Sequence, residues 1–336
     1  GDNGGQGCVI TLGGDEEMNH NLEVSITYML YPDLPLIRKK MSLRNTGPVD
    51  LRVEGLDVEH LKLSWSDTHC WTMKDYGRYR HLGPYSGDWH DAVVTVHNVT
   101  AKQGMVLGNE APGVTKRTST FLDDRPGSVT IGLTHPDQEY PFRKWLEPGE
   151  QWESPNAFIA LYQGSSDPYL CMNTTVADFV RKHMGIRLAE LDKKPAFVYN
   201  TWAPFRHQIN DSLIYELATA VAACGAEEFI IDDGWQTNAN PLDDQIQYGD
   251  WEIDKKKFPD GLKPVFDSIK ALGMKPGLWI SMAGASPDSK VFKKHPEWFI
   301  ENMDGNLENL HSSAGHLKTA CFGTGWVDHI KSKILY

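Results

Sequence analysis

Phe229-Ile230-Ile231-Asp232-Asp233-Gly234-Trp235-Gln236 runs three apolar residues straight into two acids, a glycine and an indole. A parallel strand covered on both faces is apolar throughout, so this stretch predicts a buried strand of a barrel or doubly wound sheet, not a half-exposed hairpin. Carboxylates at the C-terminal end of such a strand sit at the mouth where these folds bind ligands. A single Asp in that place serves as readily to cap the next helix or shape the turn. Two adjacent acids followed by Gly-Trp argue for more, because a cap requires one carboxylate and no aromatic.

Around this strand the pattern after residue 195 is β then α, repeated. Residues 196–199 are a candidate strand ending in Asn200-Thr201-Trp202, residues 211–224 a helix with a polar start and Gly225 as its stop, and residues 228–232 the second strand. A helix over 262–272 stops at Gly273, residues 275–281 form a third strand, and 325–335 a third long helix. The strand ends at Trp202, Asp232/Asp233 and Ser281 are expected on one face of a parallel barrel or sheet. Three such units in about 140 residues fit the first part of a (β/α)8 TIM barrel, whose usual total is about 250 residues.

Upstream the sequence is β-like. Residues 22–28 alternate apolar and polar, and after the Pro32 to Pro35 turn residues 36–43 form another strand ending at Asn45-Thr46-Gly47. Residues 51–58, 92–99, 104–108, 128–133 and 156–162 fit further strands, with no long helix between them, which predicts a large antiparallel sandwich. Residues 167–184 change to a helical period through Leu170, Val176, Phe179 and Val180. The expectation is a multi-domain chain: an N-terminal antiparallel β-sandwich with a connecting helix over 1–185, then the first three βα units of a TIM barrel over 186–336.

At 336 residues the chain is about twice the usual domain size. The net charge of -12 argues against nucleic acid as a partner, which needs a basic stripe. Runs such as Lys255-Lys256-Lys257 read as a solvated face. No apolar run approaches the roughly 18 residues of a membrane span, so no membrane partner is expected. Cys8, Cys70, Cys171, Cys224 and Cys321 are odd in number, dispersed and without C-x-x-C, and read as mostly reduced, buried thiols. With no basic-then-apolar leader at Gly1-Asp2-Asn3-Gly4-Gly5, they tilt an open compartment toward the cytoplasm. Nucleotide and zinc motifs are absent, the histidines read as structural, and no cofactor or metal is expected. Asn98, Asn173 and Asn210 match glycosylation sequons that chance readily supplies.

The C-terminal part resembles glycoside hydrolase family 36, the α-galactosidases that group with raffinose and stachyose synthases. The residues that carry the resemblance are Asn200-Thr201-Trp202, Phe229 to Trp235, Gly249-Asp250-Trp251 with Phe258-Pro259-Asp260-Gly261-Leu262-Lys263-Pro264, Lys275-Pro276-Gly277-Leu278-Trp279, and Ser286-Pro287-Asp288-Ser289 with His295-Pro296-Glu297-Trp298. The first half is similar to that family's supersandwich-like N-terminal domain through Tyr31-Pro32-Asp33-Leu34-Pro35, Gly108-Asn109-Glu110-Ala111-Pro112-Gly113 and Leu146-Glu147-Pro148-Gly149-Glu150.

The resemblance implies a retaining enzyme acting on terminal α-galactosides, as oligosaccharide or conjugate, and a homo-oligomer. Asp232 and Asp233 would accept hydrogen bonds from the O4 and O6 hydroxyls of galactose, as ionised acceptor-only groups. Trp202, Trp235, Trp251 and Trp279 are candidates for the wall on which the sugar packs, each also a candidate for core filler. Asp250 is a further candidate that could equally brace its loop. The family places its nucleophile at the fourth strand and its acid/base at the sixth, both expected after Tyr336, so no catalytic residue is named; Asp254, Asp288 and Asp304 lie in loops that the motifs assign elsewhere. Ile280-Ser281-Met282-Ala283 stands where many bacterial members have Glu-Pro-Glu, and His316 to Gly323 where a basic motif is common. A sugar-transferring enzyme of the raffinose-synthase kind, and a galactoside-binding protein without turnover, stay open as alternatives.

Overall fold

A computed structural model describes residues 4–13, 21–74, 77–87, 91–122, 126–138, 140–184, 195–237, 248–301, 305–310 and 317–334. The chain divides into two compact units, Gly1–Asp192 and Lys193–Tyr336. A large antiparallel sheet occupies the first, and parallel β/α units the second.

In the first unit a nine-stranded antiparallel sheet runs in the order Gln6–Leu12, Leu22–Tyr31, Leu34–Asn45, Ala157–Gln163, Gln103–Asn109, Val93–Asn98, Thr68–Lys74, Gly77–His81, with Gln151–Glu153 also pairing on Leu34–Asn45. A second sheet of four strands runs Leu56–Leu63, Gly127–Leu133, Lys116–Phe121, Tyr85–Gly87. The inner faces share one core, Val94, Val96, Met105 and Leu107 from the first sheet against Val58, Val129 and Ile131 from the second. The opposite face of the large sheet is covered too: Val106, Phe158 and Ala160 pack with Cys171, Val176 and Phe179. Central strands covered on both faces lose the alternation of a half-exposed strand, which is why Val93–Asn98 and Gln103–Asn109 are buried almost throughout.

The segment read as a connecting helix opens with a π-helical turn, Met172–Val176, before the α-helix Ala177–His183. Residues 51–58 are not one strand. Gly55, at φ 76°, divides them into Leu51–Glu54, which pairs with Arg143–Leu146, and Leu56–Leu63, which belongs to the smaller sheet. A positive φ costs glycine little, and the chain uses it to change sheets. Only Cys70 and Cys171 of the five free cysteines are buried. Cys8 and Cys224 are exposed and Cys321 lies between, which corrects the expectation of mostly buried thiols. Cys8 sits on a strand at the sheet's edge and Cys224 at a helix end, positions whose outer side faces solvent.

The second unit holds a parallel sheet in the order Val198–Asn200, Glu228–Ile231, Lys275–Leu278. Phe229 and Ile231 are fully buried, as the apolar run requires. The helices Asp211–Ala223 and Lys263–Ala271 follow the first and second strands. Asn210 caps the former, its side chain accepting from the Leu213 N–H at 2.9 Å, and Pro264 opens the latter where its missing N–H costs nothing. Both stop as expected, at Gly225 and Gly273. The helix Trp326–Ile334 is anchored by Trp326, buried completely, whose indole donates to the Met282 carbonyl at 2.9 Å.

Candidate functional site

Parallel pairing puts the C-terminal ends of the three strands on one side. There Asn200 of the first strand donates from Nδ2 to Asp232 Oδ2 at 2.7 Å, and the Asp232 N–H donates to Thr201 Oγ1 at 3.0 Å. The other oxygen of Asp232 accepts the Asp233 N–H at 2.8 Å. Asp233 is held more heavily: Gln236 Nε2 donates to Oδ1 at 2.5 Å, while His207 Nε2, at 3.1 Å, and the Tyr248 hydroxyl both meet Oδ2. Asp232 is 8% exposed and Asp233 2%.

An ionised carboxylate has about four acceptor positions. Among the described residues, two are used on Asp232 and three on Asp233. Both acids keep acceptor capacity, Asp232 more of it. Burial and the Asp233 charge raise the Tyr248 hydroxyl's pKa, so it stays a donor.

The turn after the pair is built for close approach. Gly234 has φ 119°, and a Cβ there would lie 2.6 Å from the His207 Cα. Lys257 clamps the two backbones, its ammonium donating to the His207 carbonyl at 2.9 Å and the Gly234 carbonyl at 2.7 Å. Burial lowers the pKa of Lys257, and two carbonyls are the donors' reward for that burial.

Three of the four tryptophans come together. Trp235 stacks on Trp251 at 5.8 Å, Trp251 meets Trp279 edge-on at 6.0 Å, and Tyr248 contacts Trp251 and Trp279 at 5.5 and 5.8 Å. The Trp235 indole donates to the Trp279 carbonyl at 2.9 Å, tying the second strand's turn to the third strand. Trp235 and Trp251 are buried, whereas Trp279 is only half-buried. Trp251 holds φ 51°, a conformation bulky residues rarely adopt, and its buried indole N–H has no hydrogen-bond partner among the described residues.

Trp202 stands apart from that cluster. It begins the short helix Trp202–Phe205, its ring under the Arg206 guanidinium at 4.8 Å and edge-on to His207 at 5.1 Å. Asp250 turns to a helix start: Oδ2 accepts the Lys290 N–H and Oδ1 the Val291 N–H, both at 2.9 Å, beside the Ser289 cap of Lys290–Lys294. Each Asp250 oxygen thus holds one backbone N–H of that helix start. Asp304 and His316 lie outside the described residues. No group of three or more metal-ligating side chains occurs among the described residues.

The sequence did not single out Asn200, His207, Gln236 or Tyr248 as site residues. Asn200 stood in a motif and Gln236 beside the acid pair. His207 and Tyr248 carry no local signal, because each reaches Asp233 across a fold contact.

The Melibiase family model matches residues 151–316. The alpha-galactosidase of Escherichia coli is 38% identical over 136 residues, covering 40% of this chain and 19% of that protein. Alpha-galactosidase 2 of Pediococcus pentosaceus is 26% identical over 303 residues, covering 84% of this chain and 40% of that one. Among solved structures, a GH36 alpha-galactosidase variant, AgaA of Geobacillus stearothermophilus in complex with raffinose, superposes with a TM-score of 0.80 at 20% identity, over 98% of this chain and 47% of that chain. The chain thus spans less than half the length of these relatives.

Proposed function

Because the chain belongs to the melibiase family, glycoside hydrolase family 36, we propose that it supplies the galactose-reading part of a retaining α-galactosidase. In this reading the first unit is the family's N-terminal sandwich and the second the opening βα units of its catalytic TIM barrel, acting on terminal α-galactosides of the raffinose type.

The observation that carries this reading is the pair of buried carboxylates at one strand end, both with acceptor capacity left, joined through Tyr248 to the half-buried Trp279. Sugar hydroxyls donate to Asp232 and Asp233, which as carboxylates are acceptor-only groups. An indole face covers the C–H face of a pyranose, and Trp279 is held in place by the edge-on Trp251 ring and by the Trp235 indole on its carbonyl. Fixed acceptors orient the ring, so the anomeric carbon meets the reacting groups without a search over poses. Cleavage with retention requires two carboxyl groups about 5 Å apart, one attacking and one protonating the leaving oxygen. Neither role is assigned to a residue of this chain.

The test is turnover of chromogenic α-galactoside and α-glucoside by the full-length protein and its Asp232→Asn variant. Hydrolysis of the galactoside alone is expected, with kcat/KM lowered about 30-fold or more in the variant, the value of one buried charged hydrogen bond. Equal rates for wild type and variant contradict the reading.

A further inference from the structure

The two acids of the pair are built differently. Asp232 is reached by Asn200 from the neighbouring strand and by its own chain, whereas Asp233 is gripped by side chains from three separate stretches: His207, Gln236 and Tyr248. We propose, resting on the galactoside reading above, that His207 and Tyr248 are positioning residues that aim the last free acceptor site of Asp233 at the sugar, and thereby set how tightly galactose is held.

Each gripping residue is itself fixed by contacts that do not involve Asp233. The Tyr248 backbone is locked to Ser286 in both directions, its N–H donating to Ser286 Oγ and its carbonyl accepting the Ser286 N–H, each at 2.9 Å. His207 is pinned by the close approach of Gly234, by the Lys257 clamp across the two carbonyls, and by the edge of the Trp202 ring. Gln236 is tied to the same turn, its Oε1 accepting the Gly234 N–H at 3.0 Å. A carboxylate facing three donors on a rigid frame cannot rotate without stranding a buried donor. Its remaining lone pair therefore points in one direction before the sugar arrives, and less ordering is required at binding.

Positioning also explains the geometry of the aromatic cluster. Among the described residues, Tyr248 is the member of that cluster whose side chain hydrogen-bonds a carboxylate, so it ties the aromatic wall directly to the acceptor. His207 likewise links Trp202, outside the cluster, to Asp233.

The experiment titrates galactose into the full-length protein by calorimetry and measures kcat and KM on a chromogenic α-galactoside, for Tyr248→Phe, His207→Leu, His207→Gln and Asp232→Asn. Tyr248→Phe keeps the ring in the cluster and removes only the donor. Galactose affinity is expected to fall about tenfold to a hundredfold in Tyr248→Phe and His207→Leu, the range for one hydrogen bond to a charged group, with KM rising more than kcat falls. His207→Gln places an amide N–H where the imidazole Nε2 donates and should regain most of what His207→Leu loses. A packing role predicts the reverse order, since leucine fills the space beside Trp202 better than glutamine. Wild-type affinity in Tyr248→Phe and His207→Leu, with binding lost in Asp232→Asn, overturns the inference and leaves the galactoside reading standing. Wild-type affinity in Asp232→Asn as well removes both. Thermal unfolding of each variant identifies any that fails to fold, and Tyr248→Phe, which alters one atom, then decides.

Discussion

Asp232 and Asp233 are neighbours in sequence with different work to do. Because Asp233 faces three donors and is nearly sealed from water, Asp233→Asn turns an amide N–H2 or a single oxygen toward groups that all need an acceptor. A loss of stability of about 1–3 kcal/mol is expected, read as a lower denaturant midpoint at unchanged slope. An unshifted midpoint would show that the donors find other partners. The acid pair itself was legible from the sequence, because an apolar strand running into two acids leaves a linear trace. Its partners were not: Asn200, His207 and Tyr248 reach it from other elements, and side-chain contacts between elements have no period to read. The strain at Trp251 was equally hidden, since nothing in Gly249-Asp250-Trp251 announces a positive φ on the tryptophan.

Elements followed the sequence where a local rule governs them. The helices Asp211–Ala223 and Lys263–Ala271 begin and end where cap, proline and glycine place them, and the Glu228–Ile231 strand lies where its apolar run predicts. Several strands of the first unit escaped, among them Thr68–Lys74, Gly77–His81 and Lys116–Phe121. Their mixed composition includes Thr, His, Arg and Lys, and pairing partners far along the chain decide their state. Two elements offer direct tests. Asp250→Ala strips two N–H groups at the start of Lys290–Lys294 of their acceptor and should cost about 0.5–2 kcal/mol, measured by denaturant unfolding. Gly234→Ala combines a disfavoured φ with a Cβ against the His207 backbone, so a larger loss is expected than from the cap; a variant as stable as wild type would show that the turn can move away.

For the whole molecule, the order of a β-rich part followed by β/α units was readable from the change of pattern along the chain, although the boundary expected at 185/186 differs from the division at Asp192/Lys193. The exposure of the thiols was not readable, because burial of a single cysteine has no sequence pattern. Burial pushes the Cys70 thiol up to about 12, and Cys171 is raised by the same cause. Alkylation at pH 8 should therefore label Cys8 and Cys224 in the native protein, and Cys70 and Cys171 only after unfolding. Rapid native labelling of Cys70 would contradict the shared core of the two sheets. The central claim concerns the acid pair, and a crystal structure of the full-length protein with galactose tests it most directly. Galactose is expected with its hydroxyls within hydrogen-bonding distance of both Asp232 and Asp233 and a ring face on Trp279. Galactose bound elsewhere, with the pair contacting only protein and water, would contradict it.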